Sequence, residues 1–320
     1  MIVITGAAGF IGSCVAKYVH STFEDECVVL VDDFSREDKK ENLNGLEKCT
    51  FVERGQFGQW SRENHPRAII HLGARTDTTS TNRKVFDELN LEFSKRVWQT
   101  AARDQSILIY ASSAATYGDG SHGYSDDHSI IPRLKPLNAY AESKQAFDLW
   151  ALEQSDTPSG WYGLKFFNVY GPNEYHKGRM ASVVYHAYKQ ISATGKLKLF
   201  RSHRPDYADG MQLRDFIYVK DVCSVIAFLM QSLPTSGIYN VGTGKARTFI
   251  DLATAVFEAL NRSIEIEFIP IPEDIRYNYQ YFTEADMKKL RKAGYTHGFN
   301  SLEEGISDYV TNYLVQGNYY

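Results

Sequence analysis

The chain has 320 residues, 43% of them hydrophobic and 23% charged, with a formal net charge of −4. That length buries a substantial core, while the mild acidity offers no basic footprint to nucleic acid or an anionic membrane. No apolar run reaches transmembrane length, which argues against a membrane protein. The first residues, Ile2-Val3-Ile4-Thr5, read as a short buried parallel strand. They lead into Gly6-Ala7-Ala8-Gly9-Phe10-Ile11-Gly12 and a predicted helix from about Ile11 to His20. Strand, glycine turn and helix in succession make a dinucleotide-binding unit. The glycines Gly6, Gly9 and Gly12 let the turn tighten and the backbone approach a pyrophosphate, which then meets N–H groups at the helix start. The spacing G-x-x-G-x-x-G departs from the commoner G-x-G-x-x-G.

Cys27 to Val31 predicts a second buried strand, ending at Asp32-Asp33. An acid there usually holds ribose hydroxyls and favours NAD. Arg36, Lys39 and Lys40 follow closely and suit a 2′-phosphate, so NAD and NADP both stay open. A third strand runs from Arg67 into the small-residue end Gly73-Ala74, which lets backbone lie against a cofactor. A long helix is expected from Asn82 to Arg103, with Asn90 either a polar support for the cofactor edge or a surface residue. Ser106 to Ala111 is the fourth strand, and Ser113 emerges at its carboxyl end, where ligands sit in an open parallel sheet.

The helix that follows carries Tyr140 and Lys144, four apart and so on one face. A free phenol has a pKa of about 10, and an adjacent ammonium and an oxidised nicotinamide ring would each draw it down. Ser113, Tyr140 and Lys144 are therefore expected to converge on one substrate oxygen. Further strands are predicted near Trp161–Phe167 and Ile264–Ile269, and helices near Met180–Ala193, Val219–Gln231, Ile250–Leu260, Glu284–Ala293 and Ser301–Tyr313. The alternation predicts an α/β doubly wound parallel Rossmann sheet with a smaller, interleaved C-terminal substrate lobe. The expected division is residues 1–168, joined by about 214–242, for cofactor, and the rest of 169–320 for substrate. Cys14, Cys27, Cys49 and Cys223 show no C-x-x-C spacing, and no charged leader precedes the first strand. Both point to reduced thiols and a cytoplasmic enzyme. The histidines have no short ligand spacing, so no metal is expected.

Taken together, Gly6-x-x-Gly9-x-x-Gly12, Ser113, Tyr140-x-x-x-Lys144 and Asn240-Val241-Gly242 resemble the extended short-chain dehydrogenase/reductase superfamily over nearly the whole chain. The segments Tyr110–Gly118, Lys135–Asn138, Phe167–Pro172, His176–Val183, Arg214-Asp215-Phe216 and Tyr279–Asp286 are similar to those of ADP-glyceromanno-heptose 6-epimerases. That resemblance implies inversion of C6″ of ADP-D-glycero-β-D-manno-heptose for lipopolysaccharide core synthesis, with tightly held NADP in a homo-oligomer. It implies Tyr140 and Lys177 as the two acid/base residues, with Ser113 and Lys144 in support. Phe10, Ile11, Asp32, Asp33, Lys39, Leu72, Gly73, Ala74, Arg75, Thr76, Asn90, Lys144, Val169 and Lys177 would join the three glycines at the cofactor. Ser113, Asn168, Arg179, His186, Phe200, Arg201, Ser202, His203, Arg214 and Tyr279 would meet the substrate. The loop Arg201–Leu213 looks longer than in the family, Arg179 stands where serine is frequent, and Leu72–Thr76 is variant, so sugar and phosphate contacts there are the least transferable.

The chemistry asks for two bases. The cofactor stays put, so a C6″ ketone must present opposite faces to it, and the hydroxyls of the two epimers then point different ways. Lys177 needs its pKa of about 10.4 depressed to serve, and without the resemblance it reads as a surface lysine. Arg214 suits a pyrophosphate through its planar fork, the alternative being an ion pair with Asp215. A nucleotide-sugar 4-epimerase shares Ser113, Tyr140 and Lys144 but makes no demand on Lys177. A 4,6-dehydratase needs an acid after Ser113, where Ala114-Ala115-Thr116 offers none. A non-catalytic dinucleotide-binding regulator would have no use for Tyr140 and Lys144.

Overall fold

The computed structural model describes residues 1–78, 80, 82–276 and 279–320. Its main layer is a seven-stranded parallel sheet of β1 (Ile2–Thr5), β2 (Val28–Asp32), β3 (Thr50–Glu53), β4 (Ala68–His71), β5 (Ile107–Ser113), β6 (Gly160–Phe166) and a last strand, Gly237–Val241. The spatial order starts from Gly237–Val241 and continues β6-β5-β4-β1-β2-β3. Strand order therefore reverses at β1, which places a crevice at the carboxyl ends of β1 and β4. β1, β2, β4 and β6 are buried along their whole length, as the unbroken apolar runs predict. β3 was not expected from the sequence. It is an edge strand with only Val52 buried, so it lacks the apolar run that marks its neighbours.

Helices α1 (Phe10–Thr22) and α2 (Phe57–Glu63) follow β1 and β3. The expected single helix from Asn82 to Arg103 is instead three pieces: α3 (Arg83–Phe86), a π-helical stretch Asp87–Glu92, and α4 (Phe93–Arg103). The wider turn brings Asn90 inward, and the Ser94 hydroxyl donates to the Asn90 carbonyl, a side-chain insertion of the kind that bends helices. α5 (Ala139–Leu152) starts at Asn138, whose side-chain oxygen accepts the N–H of Ala141.

Beyond β6 the chain builds smaller pieces. β7 (Asn168–Tyr170), α6 (Val183–Thr194), β8 (Leu197–Phe200), β9 (Leu213–Tyr218), α7 (Val219–Ser232), β10 (the Gly237–Val241 strand), β11 (Ala246–Thr248), α8 (Phe249–Ala259) and β12 (Ile266–Ile269) follow in order. β11-β9-β7 form one sheet and β12-β8 another. The return through residues 214–242 is thus shared: β9 joins the small sheet while β10 completes the main one. α6 starts three residues later than expected, because Tyr175–Met180 is a 3-10 segment broken at Gly178, whose φ is +53°. The expected helices near 284–293 and 301–313 shorten to Lys288–Lys292 and Leu302–Asp308, the latter passing into a π turn at Tyr309–Leu314. Among the described residues no helix is long and apolar enough to cross a membrane.

Candidate active site

A cavity of about 520 Å³ opens at the strand-order reversal. Its floor is the glycine turn, and here the need for glycine is steric. Gly6 has a φ of +70°, and a Cβ on it would stand 2.5 Å from the Gly73 nitrogen; one on Gly12 would stand 2.0 Å from the Gly6 carbonyl oxygen. The walls include Phe10, Ile11, Asp32, Asp33, Lys39, the run Leu72 to Thr76, His176, Lys177 and Arg179. Of the expected cofactor residues, Asn90, Lys144 and Val169 do not line it. Asn90 is buried just behind, and its side chain accepts the Arg75 N–H at 2.8 Å and donates to the Arg75 carbonyl and the Ser143 hydroxyl, each at 3.0 Å. Of its two sequence readings, the inward support holds. Val169 sits in β7 and spends its N–H on the Phe167 carbonyl.

The acid on β2 is already occupied. Asp32 accepts the N–H groups of Ala8 at 2.8 Å and Asp33 at 2.7 Å, with the Lys39 ammonium at 3.4 Å. Arg36 and Lys39 of the expected basic trio line the cavity, and Arg54 joins them from the end of β3, 3.8 Å from Asp33. Lys40 points away, exposed beside Glu37. Arg54 was missed because an arginine after an unrecognised edge strand carries no sequence signal. Asn42 was missed too; it donates to the Ala8 and Asn173 carbonyls and lies 3.3 Å from the His176 ring, tying the basic loop to the Lys177 loop. Burial first, and then Lys39 and Lys177, push His176 down to about 4.

At the carboxyl end of β5, Tyr140 lies within the influence of the Ser113 side chain, whose hydroxyl accepts the Ala115 N–H at 3.1 Å. The phenol is desolvated, which pushes its pKa up; the Ser113 hydroxyl draws it back and the charge of Asp148 adds to the rise. The expected lowering by Lys144 is absent. The two residues do share a helix face, but the Lys144 ammonium donates to the Ala111 carbonyl at 2.8 Å, and burial brings its own pKa down to about 8. Deeper still, Asp148 accepts from Lys165 at 2.6 Å, Ser112 at 2.7 Å and Tyr110 at 3.2 Å. Lys165 also donates to Thr116 at 2.7 Å, and both charged side chains are fully buried. This network brackets Ser113 on either side in sequence. It escaped the sequence reading because Asp148 lies on α5 and Lys165 on β6, and only folding joins them.

Lys177 stands on a different element, in the cavity wall with its ammonium 5.3 Å from the centre of the Phe10 ring. Burial lowers its pKa and Glu174 partly offsets this. Arg214 is buried between the rings of Tyr279, at 5.3 Å, and Phe249, at 5.7 Å, and Phe200 packs edge-on to Tyr279. Its nitrogens donate to the carbonyls of Leu213 and Gln280. The alternative pairing with Asp215 is not formed: that carboxylate takes the N–H groups of Thr243, Gly244 and Ala285 and the Thr243 hydroxyl. Adjacent strand residues face opposite sides, which separates the two. Asn168 donates to the Asp215 carbonyl at 3.2 Å, and His186 meets the Arg179 carbonyl at 3.4 Å. Arg201, Ser202 and His203 use their polar atoms on one another's neighbours and on the segment that includes β12. Arg201 donates to Phe268, Ser202 to Arg204, and His203 accepts the Ile271 N–H.

The model of the NAD dependent epimerase/dehydratase family matches residues 2–242. An ADP-L-glycero-D-manno-heptose-6-epimerase from Fusobacterium nucleatum is 45% identical, over 100% of both chains. The chain belongs to the ADP-L-glycero-D-manno-heptose-6-epimerase family. The crystal structure of the Helicobacter pylori epimerase of that name superposes with a TM-score of 0.82 at 28% identity, covering 97% of this chain and 95% of that one. A Thermus thermophilus UDP-glucose 4-epimerase, solved in complex with NAD, is 26% identical with a TM-score of 0.78, covering 97% of each chain. As a member of this epimerase family, the protein is an isomerase that uses a nicotinamide dinucleotide.

Proposed function

We propose that this epimerase inverts C6″ of ADP-D-glycero-β-D-manno-heptose to the L-glycero form, a step that feeds lipopolysaccharide core synthesis. The observation that carries the reading is a second base: Lys177, half-buried in the wall of the dinucleotide cavity, on a different element from Tyr140. A 4-epimerase has no demand for it. A nicotinamide dinucleotide held by the glycine turn, Phe10, Ile11 and the run Leu72 to Thr76 would supply the hydride chemistry at C6″. Tyr140, aligned by Ser113, removes the hydroxyl proton of one epimer; Lys177 delivers a proton to the alkoxide formed on the other face, and the roles exchange in reverse. Lys144, held on the Ala111 carbonyl, orients α5 against the sheet edge and brings positive charge near the cofactor ribose. Arg214, buried without a carboxylate partner among the described residues, receives the substrate pyrophosphate, with Tyr279 and Phe200 forming its apolar wall.

The cofactor favoured is NADP. Asp32 is engaged by two backbone N–H groups and Lys39, and Arg36, Lys39 and Arg54 together offer a 2′-phosphate three cations. Residues 1–168 with α7 and β10 of the return form the cofactor lobe, and the remainder of 169–320, β9 included, the substrate lobe. The protein works in the cytoplasm as a homo-oligomer. The test is turnover by purified protein without added cofactor, followed by proton NMR of C6″, with the dinucleotide released by denaturation and identified. Conversion with NADP recovered supports the proposal; bound dinucleotide without conversion refutes the assigned sugar.

A further inference from the structure

Lys177 lies in a loop, residues 171–182, whose two ends meet on one side chain. Glu174 is fully buried. One of its oxygens accepts the Ser182 hydroxyl at 2.6 Å and the Gly171 N–H at 3.4 Å; the other accepts the Ser182 N–H. The Ser182 hydroxyl in turn accepts the Tyr185 N–H at 3.2 Å, so the same clasp starts α6. The loop is pinned from outside as well. Asn173 donates to Ser13 of α1 and accepts the Tyr320 N–H, each at 2.9 Å, and the Tyr175 hydroxyl donates to the Asn318 carbonyl at 2.9 Å.

A carboxylate without a cation in ion-pair contact is costly to bury, and a loop that merely crossed the surface would have no need of one. Among the described residues Glu174 forms no ion pair: burial raises its pKa, and the Ser182 bonds first and then the Lys177 charge draw it back, while Tyr175 and Tyr309 also feel its charge. We infer that Glu174 is the positioning residue for the second acid/base group, its buried carboxylate closing the loop that carries Lys177 and contributing a negative charge within that loop. The inference rests on the proposal that Lys177 serves the second face of C6″. The two jobs separate by substitution. Glu174→Gln keeps length and most of the packing but removes the charge, so the Lys177 ammonium loses its stabilising neighbour and its pKa falls. Glu174→Asp keeps the charge but is one methylene short, so the clasp loosens, water reaches Lys177 and its pKa rises.

The experiment reads two quantities on wild-type protein, Glu174→Gln, Glu174→Asp and Lys177→Met. One is net epimerisation by proton NMR. The other is acylation of the Lys177 amine by acetic anhydride across the alkaline range, read by peptide mass spectrometry. Epimerisation in both Glu174 variants is expected to fall about 100-fold, the usual penalty for displacing a catalytic group by an ångström. The acylation midpoint is expected to move down in Glu174→Gln and up in Glu174→Asp, opposite shifts that general loosening does not produce. Wild-type rate and midpoint in both variants overturn the inference, and a fall in rate with unmoved midpoints overturns its electrostatic half. Lys177→Met that still epimerises overturns the two-base proposal itself, whereas an inactive Lys177→Met beside wild-type Glu174 variants overturns this inference alone.

Discussion

Lys165→Met breaks the buried ion pair that Asp148 of α5 makes with β6. Asp148 and Lys165 are both fully buried, 2.6 Å apart, and the lysine also holds Thr116. Removing one partner of such a pair leaves an uncompensated charge and costs about 3–5 kcal/mol. At ~1.4 kcal/mol per factor of ten, the folded-to-unfolded ratio falls by about two to four powers of ten. With a total stability of about 5–15 kcal/mol the variant stays largely folded, and its melting temperature drops by roughly 5–15 °C. The assay is thermal unfolding followed by circular dichroism, beside Asp148→Leu and the double variant. Because the singles share one interaction, the double variant should lose clearly less than their sum. The charge of Asp148 already raises the Tyr140 phenol, so unmasking it moves the acid limb of the pH–rate profile upward in Lys165→Met. A melting temperature within about 2 °C of wild type, or strict additivity in the double variant, refutes the reasoning.

Tyr140→Phe and Lys177→Met should each lower net epimerisation by about 10²–10⁴, measured by NMR on substrate and product; wild-type turnover in the double variant refutes the two-base scheme. Arg214→Lys keeps the charge but loses the planar fork, so KM should rise about tenfold or more with a smaller change in kcat, because one charge-assisted bond contributes about 1.5–3 kcal/mol. Arg54→Ala with Lys39→Ala should reduce the ratio of NADP to NAD recovered from denatured protein, and an unchanged ratio rules out the cation cluster. His71 is buried between Thr5 at 2.6 Å and Ser94 at 2.9 Å, and burial first, then Lys144, pushes it down to about 3. A depressed histidine leaves the unfolded chain binding more protons between pH 6.5 and 3, so the stability it contributes is lost on acidification through that window. His71→Asn should flatten the acid side of the stability–pH curve, measured by urea unfolding.

The glycine turn, the acid at the end of β2, Ser113 and the Tyr140–Lys144 pair were legible in the sequence because each depends on contacts within one strand–turn–helix unit. Five of the seven central strands were legible for the same kind of reason: burial on both faces writes an unbroken apolar run, which β3, wet on one edge, does not have, and β10 joins the sheet only through its pairing with β6. Tertiary structure decided the rest. It turned Asn90 inward through a π-helical turn, and it bound the Lys144 ammonium to the Ala111 carbonyl, away from the phenol. It separated Arg214 from Asp215 across a strand. It also brought Arg54 to Asp33, Lys165 to Asp148, and the two ends of a loop to Glu174. Local order needs only the near neighbours that periodicity records. The charge around a buried group is the sum over elements far apart in the chain, and it exists only once they have packed.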